Sequence, residues 1–139
     1  MIDTIRIYRE IDADVIDILR PFFIVDNDKE GYLVAAEIKD RMRVTPNDTA
    51  LFILVDEDNK LQGFLIGWVQ HTRDSAWLGQ AWSDPNVPKH YITEVFDIFS
   101  HWVRSHGYNK IYTETARSPK VLKRIYGFEH CSFIMVKEI

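Results

Sequence analysis

Residues 75–115 read SAWLGQAWSDPNVPKHYITEVFDIFSHWVRSHGYNKIYTET, and their changes of period set the architecture. Residues 75–82 follow a turn at 71–74 and read as a strand. After the loop 83–89, Ile92, Val95, Phe96, Phe99, Trp102 and Val103 recur at three- and four-residue steps, the spacing of a long amphipathic helix. Gly107 is placed to end that helix, and residues 110–115 return to a strand pattern. A strand, a crossover helix and a second strand in the same sheet leave the two strands parallel. The apolar face of the helix then has to cover the sheet.

The remaining chain builds outward from this unit. At the N-terminal end Ile5 and Ile7 alternate with Arg6 and Tyr8, a half-buried strand, and Asp12 offers an N-cap oxygen to a helix carrying Val15, Ile18, Leu19 and Phe22. A turn signal at Asp26 to Asp28 precedes a second helix over 30–42, where Val34, Ile38 and Met42 lie four apart; Pro46, Asn47 and Asp48 stop it. Apolar runs at 49–55 and 61–70, separated by Asp56, Glu57, Asp58, Asn59 and Lys60, form a hairpin. In the second run Phe64, Ile66 and Trp68 face one way and Leu65 and Val69 the other, which makes that strand central. A turn at 71–74 leads back to residue 75, so three antiparallel strands form a meander. Beyond residue 115, Ser118 and Pro119 start a short helix that Gly127 stops, and a last strand covers 132–137. The expected class is α/β with a mixed sheet, an antiparallel meander plus one parallel strand pair bridged by a helix, in a single domain over 1–139.

Composition bounds the function. With 46% hydrophobic and 27% charged residues, and eight Phe, six Tyr and four Trp, 139 residues suffice for a core that needs no disulfide or structural metal. The only cysteine, Cys131, fits a reducing compartment, and the expected location is the cytoplasm. Residues 1–10 have the pattern of neither a signal peptide nor a membrane anchor. A net charge of −4 gives no overall attraction for nucleic acid.

Several chemistries find no support in the pattern. His101 and His106 lie five apart on the long helix and do not share a face, while His90 and His130 sit elsewhere, so no metal is expected. Cys131 reads as core filling. The glycines are isolated, without a nucleotide-binding spacing. Trp77 and Trp82, five positions apart in one strand, are expected on opposite faces, leaving one free for a protein contact.

The element order, together with Gly107-Tyr108-Asn109-Lys110-Ile111-Tyr112 and Leu122-Lys123-Arg124-Ile125-Tyr126-Gly127-Phe128, resembles the GNAT acyltransferase superfamily over almost the whole chain. The resemblance implies an N-acetyltransferase that takes acetyl-CoA into a cleft between the strand at 75–82 and the strand at 110–115. The acceptor would be a small amine or a protein amine. Gln80, Ala81 and Trp82 would hold the pantetheine arm through their backbone. Val87, Lys89 and His90 would receive the pyrophosphate, where a helix N-terminus favours anions. Glu114 would be the general base; the thiolate would be protonated by Lys123, which stands where family members carry Tyr, or by Tyr126, about 300° from Lys123 around the helix. His71 and Asp74, in the turn before residue 75, are further candidates for contact with an acceptor.

The sequence also departs from that family. Its phosphate loop is glycine-rich, whereas Ser83-Asp84-Pro85-Asn86-Val87-Pro88-Lys89-His90 has no glycine, two prolines without N–H groups and an added carboxylate. Ala116 replaces an Asn. These departures leave open a second reading, a noncatalytic module of the same fold that binds a protein assembly partner, such as a virus-encoded virion component.

Overall fold

The computed structural model describes residues 4–113 and 137–138. Five strands form one sheet in the order β1-β2-β3-β4-β5. They are β1 (Arg6–Glu10), β2 (Thr49–Val55), β3 (Leu61–Gln70), β4 (Ser75–Ser83) and β5 (Ile111–Thr113). The first four pair antiparallel in chain order. β5 returns parallel to β4, with Ala76, Trp77 and Leu78 opposite Ile111, Tyr112 and Thr113, after the crossover helix α3 (Lys89–Ser105). This is the strand–helix–strand unit expected from 75–115. Residues 114 and 115 of the expected strand, the helix at 118–127 and, apart from Lys137, the strand at 132–137 lie outside the described residues.

The sheet is buried on both faces because β2 and β3 are apolar on both. Every residue of β2 is buried. Leu51, Ile53 and Val55 of β2, with Phe64 and Ile66 of β3, pack against Ile16, Leu19, Ala35, Ile38 and Met42 on one face. Ala50, Phe52, Leu54 and Leu65 pack with Val95, Phe99 and Val103 of α3 on the other. A covering layer on each side is what forces β3 to the centre.

Local chemistry explains where the helices begin and end. The Asn27 side chain accepts the Glu30 N–H at 2.9 Å, capping α2 (Asp28–Val44), which reaches two residues beyond each end of the expected 30–42. Gly107 follows α3 with a φ of 87°, a left-handed conformation open to glycine without strain. The first helix differs from the expectation. Asp12 does cap it, through the Asp14 N–H at 2.9 Å, but only Ile16–Leu19 is α-helical (α1), flanked by 3-10 turns at Ala13–Val15 and Arg20–Phe22. Pro21 has no N–H to continue the α-helical ladder.

Strand β4 also carries a feature that the pattern of residues hides. Ile66 pairs with Gln80 and Gly67 with Leu78, so Gly79 is an extra residue, a β-bulge. The bulge reverses the alternation beyond it. Trp77 pairs with Trp68 and Trp82 with Phe64, and Trp68 and Phe64 share a face, so Trp77 and Trp82 lie on the same face. The expectation of opposite faces holds only for a regular strand. Both side chains are half-buried.

Candidate functional site

A cleft of about 710 Å3 opens along the β4 edge. Its described walls include Trp77 to Ser83 of β4, Trp68 of β3, Thr113 of β5, Ile24, Val25 and Asp26 of the loop before α2, Glu30, Val34, Glu37 and Ile38 of α2, and Ile92, Val95 and Phe96 of α3. It therefore touches both faces of the sheet. Among the described residues, pairing between β4 and β5 covers only Ala76, Trp77 and Leu78. No described residue pairs with 79–83 on the side away from β3, the side on which a strand edge carries alternate backbone N–H and C=O groups.

Gln80, Ala81 and Trp82, the residues expected to hold an extended ligand by their backbone, line this edge. The Gln80 side chain is engaged elsewhere, since its Oε1 accepts the Ile24 N–H at 2.8 Å and its Nε2 donates to the Ile24 carbonyl at 3.4 Å. Ala81 faces the α3 core and Trp82 the opposite one. Phe22 packs on the Trp82 ring at 4.1 Å.

The loop at 83–90 is closed on itself. Asp84 N–H donates to the Gln62 carbonyl at 2.8 Å, Asn86 N–H to Asp84 Oδ1 at 2.9 Å and Val87 N–H to the Asp84 carbonyl at 3.0 Å. Pro85 and Pro88 supply no donor. Val87 buries its side chain against the α3 core. Of the three residues expected to meet a pyrophosphate, Val87 thus has its N–H committed. Lys89 and His90 begin α3, which has no side-chain cap and whose Tyr91 N–H donates to the Pro88 carbonyl at 3.1 Å; both side chains are exposed. What the loop offers an anion is that helix end with one ammonium and one imidazole beside it.

Glu114, Lys123 and Tyr126 lie outside the described residues, as do Ala116 and Cys131. His71 and Asp74 are not among the residues lining the cleft. His71 instead joins Tyr108 Oη at 2.7 Å through Nδ1 and Asp48 Oδ2 at 3.0 Å through Nε2. Among the described residues no group of His, Cys, Asp and Glu is arranged to hold a metal ion, and no helix is long and apolar enough to cross a membrane.

The sequence reading missed the cleft's described carboxylates, Asp26, Glu30 and Glu37. Glu30 accepts the Asp26 N–H at 2.8 Å, and Glu37 lies 3.7 Å from Arg41, whose guanidinium sits 4.5 Å over the Trp68 ring. The signal was present in part, since Glu30 and Glu37 are two turns apart on one stripe of α2 with Val34 and Ile38 beside it. That this stripe turns toward β4 is a matter of packing.

No protein-family model and no curated protein matches the sequence. Solved structures do match its fold. Glucosamine-6-phosphate N-acetyltransferase from Arabidopsis thaliana superposes with a TM-score of 0.63 at 19% identity, over 98% of this chain and 99% of that one. Aminoglycoside 6'-N-acetyltransferase AAC(6')-Ih from Acinetobacter baumannii gives 0.72 at 9% identity, over 98% of each chain. A protein from Clostridium acetobutylicum predicted to be an acetyltransferase, solved with acetyl-CoA, gives 0.71 at 13% identity, over 97% of this chain and 96% of that one. The chain has the GNAT acyltransferase fold.

Proposed function

We propose that this chain, built on the GNAT fold, is an N-acetyltransferase that moves an acetyl group from acetyl-CoA to a small amine. The observation that carries this reading is the cleft at the bulged edge of β4, where backbone groups of 79–83 border a space reached from both faces of the sheet. An extended, amide-bearing arm fits such an edge because it can pair with backbone as a strand would. The structural neighbours support it: one was solved with acetyl-CoA, and two are named for acetylating amino sugars or aminoglycosides.

The residues present fit the group, at a reduced count of anchors. Gln80, Ala81 and Trp82 hold the arm by backbone, and the α3 N-terminus with Lys89 and His90 meets the pyrophosphate; Val87 contributes shape, because its N–H serves Asp84. When bound, acetyl-CoA supplies the activated acyl carbon that an amine attacks. The chain itself has to hold the amine near that carbon, accept its proton and return one to the leaving sulfur. Glu114 is our candidate for the proton acceptor, with Lys123 or Tyr126 as the donor.

Calorimetry with acetyl-CoA tests the reading. Binding in the micromolar range followed by release of free thiol with a small amine is the expected result; no heat at about millimolar ligand would remove the enzyme reading.

A further inference from the structure

We infer that His71 is a positioning residue for the cleft: its imidazole, braced by Asp48, staples the turn that feeds β4 to the segment that feeds β5, and so sets where the two strands part. The inference rests on the acetyltransferase reading for the ligand whose binding it controls, and on geometry alone for the staple.

Strands β4 and β5 hold each other by few bonds. Their described pairing covers Ala76, Trp77 and Leu78 against Ile111, Tyr112 and Thr113. The Ala76 N–H donates to the Lys110 carbonyl at 2.9 Å, and Thr113 Oγ1 donates to the Leu78 carbonyl at 3.0 Å. A seam this short depends on how its two strands are delivered. Because Leu78 and Thr113 both line the cleft, a shift of the seam is a shift of the cleft wall.

The staple lies just upstream of the seam. His71 opens the 3-10 turn His71–Arg73 before β4, and Tyr108 belongs to the segment between α3 and β5. Their side chains meet at 2.7 Å, His71 Nδ1 to Tyr108 Oη, with the rings edge to face at 5.6 Å. On the other side of the imidazole, Nε2 lies 3.0 Å from Asp48 Oδ2. With Nε2–H donating to that carboxylate, Nδ1 of a neutral ring accepts the Tyr108 O–H, whereas a charged ring donates from Nδ1 to Oη. The link to Tyr108 therefore exists in either state. Asp48 is itself well anchored. Its N–H donates to the Thr45 carbonyl at 3.1 Å, and its Oδ1 lies 3.7 Å from His106 Nε2, in a ring that also reaches the Asn47 and Trp102 carbonyls at 2.8 and 2.9 Å. The loop before β2, the turn before β4 and the segment before β5 are thus knitted together at the end of the sheet where β4 begins. His71 is not among the residues lining the cleft, so it acts on a ligand only through the strands.

Titration with acetyl-CoA and hydrogen exchange at the Ala76 amide test the inference on the wild type, Tyr108→Phe, His71→Gln and His71→Asn. An Asn amide reaches the place of Nδ1 and a Gln amide that of Nε2, so His71→Asn keeps the link to Tyr108 while His71→Gln keeps the link to Asp48. Tyr108→Phe and His71→Gln should each weaken acetyl-CoA binding by about fivefold, the worth of one hydrogen bond taken from the population with a closed seam. Ala76 exchange should quicken by a similar factor in both, and His71→Asn should stay near the wild type in both readouts. Faster exchange with unchanged affinity would make His71 a purely structural residue and overturn the inference, as would no change in either. A wild type that takes no acetyl-CoA removes the enzyme reading and leaves the staple to the exchange data, where equal rates in Tyr108→Phe and wild type sink it and the stated pattern upholds it.

Discussion

The Trp68 indole lies over Gly79, so close that a Cβ on Gly79 would come within 2.5 Å of its ring. The bulge residue of β4 and the largest side chain of β3 therefore share one space, and each fixes the other. The Arg41 guanidinium also sits over the indole, at 4.5 Å.

Gly79→Ala is expected to destabilise the protein by about 1–3 kcal/mol, the usual range for overpacking a filled site. Urea unfolding measures this. Because Gly79 lines the cleft, the same variant should weaken acetyl-CoA binding, which a distant substitution of equal cost would leave alone.

Phe99 is fully buried between α3 and the sheet, its ring stacked on Trp102 at 5.8 Å and filling the place that a side chain on Gly67 would take. Phe99→Ala should cost about 3–5 kcal/mol through lost burial and the remaining cavity, read as a fall in the denaturation midpoint at constant slope.

The Asp84 carboxylate occupies the Asn86 N–H in the loop before α3. Asp84→Ala removes that internal anion and its repulsion, and should tighten acetyl-CoA binding by about threefold, as befits a partly solvated charge. Lys89→Glu reverses the charge at the α3 N-terminus and should weaken binding by about tenfold or more. Isothermal titration of both variants gives the sign, and equal affinities would show that the pyrophosphate lies elsewhere.

Asp56 organises the hairpin between β2 and β3. Its Oδ1 accepts the N–H groups of Asp58 and Lys60, both at 2.9 Å, and its Oδ2 accepts Gln62 Nε2 at 3.1 Å. Gln62 is buried, so losing its acceptor leaves an unpaired amide. Asp56→Ala should cost about 1–3 kcal/mol by thermal or chemical unfolding without change in ligand affinity.

Much of the architecture follows from local alternation and periodicity. Strands β2 and β3 fall where the apolar runs at 49–55 and 61–70 end against the polar stretch 56–60, because a strand buried on both faces must be apolar at nearly every position. The stripe from Ile92 to Val103 supplies the buried face of α3 and Gly107 its end, because a helix stops most cheaply where φ can turn positive. Of the residues that the family resemblance pointed to, Gln80, Ala81 and Trp82 line the cleft, whereas Lys89 and His90 are not among its lining residues.

Tertiary structure decided the rest. A one-residue bulge is invisible to a period-two reading until the partner strand shows which residue is unpaired, and that residue, Gly79, brought Trp77 and Trp82 to one face. The hydrogen bond that ties the Asp84 N–H to the Gln62 carbonyl depends on a strand brought alongside by folding. So does the loop at 22–26: Ile24 and Gln80 are far apart in the chain, and no local preference announces their pairing. Sequence determines what a segment can form by itself, through backbone sterics and burial, whereas a cleft is made of groups brought together from segments that know nothing of one another until the sheet closes.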